Sequence, residues 1–430
     1  MAGGIWIKQD KVRPGAYTNF KTNSLADAGL DLTGAVIVPI ALDWGVVGEF
    51  VKVTPSSDFK ALFGKPLNQI VPIREAFKGS SQVTVFNVNG EGVKATAVST
   101  TFTATAVHGG TGGNNISVKF TLGLNESVVK TYLDGVEVDS QTAAIATDLA
   151  ANDYVVFSGD FPVADATLTL ATGTTVPATN GSYDAIVAGL DTQEFKTIAL
   201  GTEEADLKAL FALKVKELRE MAGKNVTFVT NGYAIADSEA VVSVVNGVTL
   251  EGNEVLTAKD AVYFYGGAYA SAGVDSLTYV AYPGAIDCER KTNDEIIQAL
   301  KDGHIIYTFN NGLVVIEQDI NTFKSFTVEK NQDFRKNKIV RTQDAISDAT
   351  SFVFSTKFIG KNINNGNGRN LFKAALIKDV YDPLAGVEAI EYTSEEIIVE
   401  QGIEKDAVTT NSYVTIQDAM EKLYTTVNCK

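Results

Sequence analysis

The amino-acid sequence predicts an α+β protein: a mixed α/β core built from both ends of the chain, with an inserted all-β sandwich. Three observations predict it. Strand, helix and strand patterns succeed one another from residue 193 onward, as a βαβ unit requires. Between about residues 95 and 190 Thr becomes abundant, and short apolar alternations replace helical spacing. The first strand-like stretch, KVRPGAYTNF at residues 11–20, precedes any element able to receive it. The expected organisation is an opening strand-like segment over 1–32, a first core segment over 33–94, the sandwich over 95–192, the rest of the core over 193–407, and a C-terminal strand region over 408–430.

The elements follow in order. GAVIVPIALDWGVVGEFVKV at 34–53 reads as two β-rich runs broken at Pro39 and around Asp43 to Gly45. SSDFKALFG reads as a short capped helix stopped by Gly64, residues 72–78 as another helical turn, and QVTVFNV at 82–88 as a strand. In the Thr-rich segment, KTYLDGVEVDS predicts a hairpin, because Asp134 and Gly135 supply a two-residue turn at positive φ. FKTIAL, the helix TEEADLKALFALKVKELREMAGK and NVTFVTNG form the βαβ unit, with Leu207, Leu210, Phe211, Leu213 and Leu218 as the apolar stripe. Helices are expected at 257–270 and 293–301, and in part at 332–349 and 366–382. HIIYTF, LVVIEQD and KSFTVEK read as consecutive strands, and strand character returns in AIEYTSEEIIVEQG and YVTIQDAMEKLYTTVNCK.

At 430 residues and 45% hydrophobic, the chain is long enough for two or three buried cores. A net charge of −16 argues against direct nucleic-acid binding, since phosphates must be met by a basic surface. The 95–190 segment holds two lysines against nine acidic residues, a net −7, nearly half of that total. The longest apolar stretch is interrupted by Pro39, Asp43 and Glu49, so no membrane span is expected. Lys8 and Asp10 break the opening residues before a signal-peptide core develops, so the chain is expected to stay in the cytoplasm where it is made. Cys288 and Cys429 lack a metal-ligand companion and read as reduced thiols.

No catalytic, cofactor or metal site emerges. His108 and His304 are the only histidines and have no partner constellation, so structural roles are expected. HGGTGGNN at 108–115 lacks the Lys-Ser/Thr and the following helix of a phosphate loop, and is expected to be a tight loop between sandwich strands. INNGNGRN at 363–370 reads as a turn. In EQDINTF, Glu317 and Asp319 lie two apart, but without a second cluster Asp319 and Asn321 are expected to shape the turn after LVVIEQD. One feature resists the acidic background: Lys330, Arg335, Lys336, Lys338 and Arg341 crowd together, either as a solvated helix face or as a basic ridge docking on an acidic partner.

RPGAYTNF, GAVIVPIALDWG, NGVTLEGNEVLTAKDAVYFYGGAYASAG, GLVVIEQDINTFKSFT and KNQDFRKNKIVRTQDAI, taken in order and spacing, resemble the contractile phage tail sheath family, in the branch of prophages and phage-tail-like bacteriocins of Gram-positive bacteria. The resemblance spans nearly the whole chain outside the Thr-rich segment. It implies a structural, non-enzymatic subunit that forms stacked hexameric rings around a tail tube and contracts to drive the tube through a cell envelope. The implied partners are further copies of the chain, the tube protein, and baseplate and tail terminator proteins, with no cofactor. It further implies that the two terminal segments are extended arms that add as strands to neighbouring subunits: an N-terminal arm over 1–32 with Arg13, Pro14, Tyr17, Asn19 and Phe20, and a C-terminal arm in 408–430, within TNSYVTIQD and LYTTVNC, with Tyr413, Val414, Ile416, Tyr424 and Val427. The basic residues Lys330 to Arg341 become the candidate for touching the tube.

Such an arm makes physical sense, since a strand of about eight residues at roughly 3.3 Å each spans over ~25 Å. Tyr17 and Asn19 would face one side, and Ala16, Thr18 and Phe20 the other. Two competing functions make other demands. A surface-layer or adhesin protein with an immunoglobulin-like module needs a secretion signal, and an α/β enzyme with a sandwich accessory needs a catalytic dyad or loop.

Overall fold

The computed structural model of the chain describes residues 2–4, 15–17 and 34–429. The chain divides into two compact units, Leu32–Asp344 with Ile416–Lys430, and Met1–Asp31 with Ala345–Thr415.

The first unit is organised by a seven-stranded sheet in the order His304–Ile305, Val241–Val244, Thr227–Asn231, Thr197–Leu200, Ala35–Ile40, Gln82–Asn87, Phe50–Val53. All neighbours pair in parallel except the edge strand Phe50–Val53. Its inner strands are near-continuous apolar runs because both faces are covered. Val36 and Val38 face a core shared with helices Val71–Phe77 and Ala258–Ser271. The alternate positions, Ala35 and Ile37, face a second core with Phe211, Val215 and Leu218 of helix Ala205–Glu220. The period-two alternation of a strand thus loads both layers, and each large apolar side chain buried there contributes about 1.5–3 kcal/mol. Helix Ala258–Ser271 lies close to its neighbours: a Cβ at Gly267 would stand 2.2 Å from the Ala76 carbonyl oxygen.

The sandwich consists of two four-stranded antiparallel sheets whose strands fall between Gly90 and Val176. Phe102, Ile116, Val118, Phe120, Val129 and Val155 fill its core. Strands Ser127–Leu133 and Val136–Ala143 are joined by the expected turn, with φ of 49° at Asp134 and 76° at Gly135. Trp44, from the segment between core strands, is buried in the sandwich core and donates from Nε1 to the Ala61 carbonyl at 3.0 Å.

HGGTGGNN joins strands Phe102–Gly109 and Ile116–Thr121 as expected. Its glycines are demanded by contact: Gly110 has φ +129°, and a Cβ there would sit 2.0 Å from the Asp43 carbonyl oxygen.

In the second unit, helix Gly366–Leu376 is capped by Asn365, whose side chain accepts from the Gly368 amide, so INNGNGRN serves as a helix start as well as a turn. Phe354, Phe358 and Phe372 pack together, and strands Ile397–Gln401 and Val408–Ser412 form a hairpin. Two expected strands are absent among the described residues. KSFTVEK is irregular because the Asp237 carboxylate takes the amides of Lys324 and Ser325, donors a ladder would need. LYTTVNC forms no ladder in the single chain.

Candidate assembly interface

The EQDINTF motif sits under the start of helix Asn337–Val353. Asp319 is buried and does far more than shape a turn: it accepts from Tyr265 Oη at 2.5 Å, the Leu277 amide at 3.0 Å, Asn337 Nδ2 at 2.9 Å and Arg341 Nη2 at 2.7 Å. Arg341 also donates to the carbonyls of Gly273 and Asp275, and its guanidinium lies 4.6 Å from the Tyr269 ring centroid. Burial alone would raise the Asp319 pKa, but the Arg341 charge and the hydrogen bonds outweigh it and hold the carboxyl below its usual range. Nothing in the spacing of EQDINTF announces this hub, because its donors come from three separate stretches of chain, around Tyr265, at Leu277 and on the helix carrying Asn337 and Arg341. Asn321 does work locally, accepting from the Phe323 amide while donating to the Phe334 carbonyl.

The basic run is therefore no free ridge. Arg341 is buried and neutralised within its own chain, which removes it from any exposed, tube-facing surface. Lys330 is exposed and pairs with Glu239. Lys336 is half-buried and pairs with Glu421, and with Asp418 at 3.5 Å. Lys338 Nζ donates to the Gln417 carbonyl at 2.7 Å. Arg335 is half-buried, and desolvation lowers its pKa. Its Nε has no partner among the described residues. Glu421, Thr278 and Gln318, which sequence reading passed over, belong to the surroundings of this run.

At the N-terminus, Gly15–Tyr17 pairs in parallel with Ala2–Gly4. Arg13, Pro14, Asn19 and Phe20 lie outside the described residues. At the C-terminus, Tyr413 is exposed while Val414 and Ile416 are half-buried. Ile416 ends the last strand, Thr415–Ile416. Leu423 and Tyr424 are both 89% exposed and Val427 is 78% exposed, so a β-prone apolar segment stands in water.

His108 packs edge-on to Trp44 with ring centroids 5.1 Å apart, and burial, helped by Lys94, lowers its pKa. His304 Nδ1 lies 2.9 Å from Ser243 Oγ within the main sheet. Among the described residues no group of three or more His, Cys, Asp and Glu is placed to hold a metal ion, and no helix is long and apolar enough to cross a membrane. Cys288 is buried and Cys429 exposed, both as free thiols. A cavity of about 630 Å³ in the second unit is floored by Phe354, Phe358 and Phe372 and rimmed by Arg369 and Lys405.

Residues 177–322 match the phage tail sheath protein central domain, and residues 329–430 match the phage tail sheath C-terminal domain. The chain is 33% identical to the phage-like element PBSX protein XkdK of Bacillus subtilis, with 99% of each chain covered. The crystal structure of a sheath tail protein from Desulfitobacterium hafniense is 34% identical and superposes with a TM-score of 0.85, covering 96% of this chain and 99% of that one. The helical sheath of the anti-feeding prophage in its contracted state shares the fold at 13% identity, with a TM-score of 0.54 over 97% of this chain and all of that one.

Proposed function

The chain belongs to the phage tail sheath protein family, and from that premise we propose that its subunits stack as hexameric rings around a tail tube and contract to drive the tube through a target cell envelope. As a member of that family it is a structural component of a phage tail or a tail-like particle. Its further partners would be the tube, baseplate and tail terminator proteins, and its assembly site the bacterial host cytoplasm. The core, the sandwich over 95–192 and the two arms would act as separate parts, the acidic sandwich outermost, where its charge keeps particles soluble.

The observation that carries this reading is the C-terminal segment: residues 417–429 form no ladder, and Leu423, Tyr424 and Val427 are left exposed. Exposed β-prone ribbons are ordinarily a liability. They become an asset when a neighbouring copy completes the hydrogen bonding. Ribbons exchanged between copies would tether the bodies while these rotate into new contacts, so extended and contracted sheaths are two packings of one subunit, the first trapped behind a barrier. No nucleotide is required, because the free energy resides in the assembly.

Negative-stain microscopy of the purified full-length chain and of a chain lacking residues 1–23 tests the reading. Ordered tubes are expected from the first and single soluble subunits from the second. Ordered tubes from the shortened chain count against the arm.

A further inference from the structure

Beyond Ile416 the backbone joins no strand, yet residues 417–421 are not loose. Glu421 is half-buried and accepts from donors on three separate segments: Lys336 Nζ, Gln318 Nε2 at 2.7 Å and Thr278 Oγ1 at 2.9 Å. Lys336 also reaches Asp418, and Lys338 holds the Gln417 carbonyl. Burial works to raise the Glu421 pKa, but the hydrogen bonds from Lys336 and Gln318 and the Lys336 charge hold it below its usual value. Directly after this cluster, every residue from Lys422 to Cys429 is exposed. The change from held to free occurs across one peptide bond.

We infer that Gln417 to Glu421 is a polar latch that sets the working length of the C-terminal ribbon. With the latch closed, the free ribbon begins at Lys422. With it open, the ribbon begins at Gln417. At about 3.3 Å per residue the free stretch up to Cys429 grows from ~26 Å to ~43 Å, enough to follow a neighbouring subunit that slides away. The inference takes its purpose from the sheath reading above, but the latch itself is a property of the single chain.

Its construction suits release. Met420 is fully exposed, so opening gives up no buried apolar anchor at that position. The ion pairs and hydrogen bonds that hold the segment are contacts that water and salt compete for. The basic run accordingly has a role in the single chain: Lys336 and Lys338 hold the chain's own end.

Carboxypeptidase digestion of the full-length protein, at a dilution where imaging shows single subunits, reads the latch by intact mass. Trimming of the unaltered chain is expected to pause at Glu421. In Glu421→Gln and in Lys336→Met the pause is lost and trimming past position 421 quickens about threefold to fivefold, as for a locally opened segment. Thermal melting within a few degrees of the unaltered chain shows that the variants keep their fold. Identical end points and rates in the unaltered chain and both variants overturn the inference. The sheath reading fails separately: an intact latch with no tubes under any condition sinks that reading alone, and normal tubes from a chain without a trimming pause sink the latch alone.

Discussion

Arg341 and Lys336 stand five positions apart in one basic run, and each meets a carboxylate from a distant segment, yet the two pairs occupy different media. The side chains of Arg341 and Asp319 are 6% and 1% exposed, against 21% and 11% for Lys336 and Glu421. The first pair is closed off, with Asp319 accepting four hydrogen bonds, and it welds the start of helix Asn337–Val353 to Tyr265 and to the 273–277 loop. The second lies at the edge of water and holds only a chain end. Identical charge in sequence therefore serves two purposes, permanent construction and reversible attachment, and burial decides which.

Substitution sharpens the contrast, and the largest effect belongs to the closed pair. Arg341→Ala leaves a buried, uncompensated carboxylate and is expected to cost about 3–5 kcal/mol of stability, measured by denaturant unfolding. A loss under ~1 kcal/mol would erase the distinction drawn here. Acid titration comes next. Because the folded pKa of Asp319 is depressed, its contribution is fully present above the unfolded carboxylate value of about 3.9 and is lost as pH falls through the folded value. Asp319→Asn should lower stability at neutral pH and flatten the acid limb of the stability profile. Glu421→Gln should flatten that limb as well, but by less than Asp319→Asn, since Glu421 and its partner are partly solvated. Lys336→Ala is expected to cost about 1 kcal/mol or less, and Lys330→Ala, on the most exposed of the pairs, a few tenths. A Lys330 effect rivalling that of Arg341 would break the ranking.

Local chemistry was legible where the deciding residues are neighbours. Asp134 and Gly135 announce their hairpin because turn geometry needs only those two residues, and Ala35 to Val38 alternate between two cores because a strand imposes it. The Asp319 hub was not legible, since Tyr265, Leu277, Asn337 and Arg341 meet only after the fold forms. KSFTVEK has strand composition, but the Asp237 carboxylate claims its amides. LYTTVNC alternates as a strand and lacks only a ladder to join, which propensity does not encode. HGGTGGNN reads as a loop from its flanks, yet the reason for Gly110, the close approach of the Asp43 carbonyl, lies 67 positions away.

Isotope-resolved cross-linking reports on strand exchange between copies most directly. Tubes are assembled from an equal mixture of light and ¹⁵N-labelled chains, cross-linked, digested and read by mass spectrometry. Cross-links joining residues 1–33 or 417–430 to the body should include mixed-isotope pairs, each tying one copy's end to another copy's body. Purely same-isotope links at both ends, in well-ordered tubes, would contradict the account.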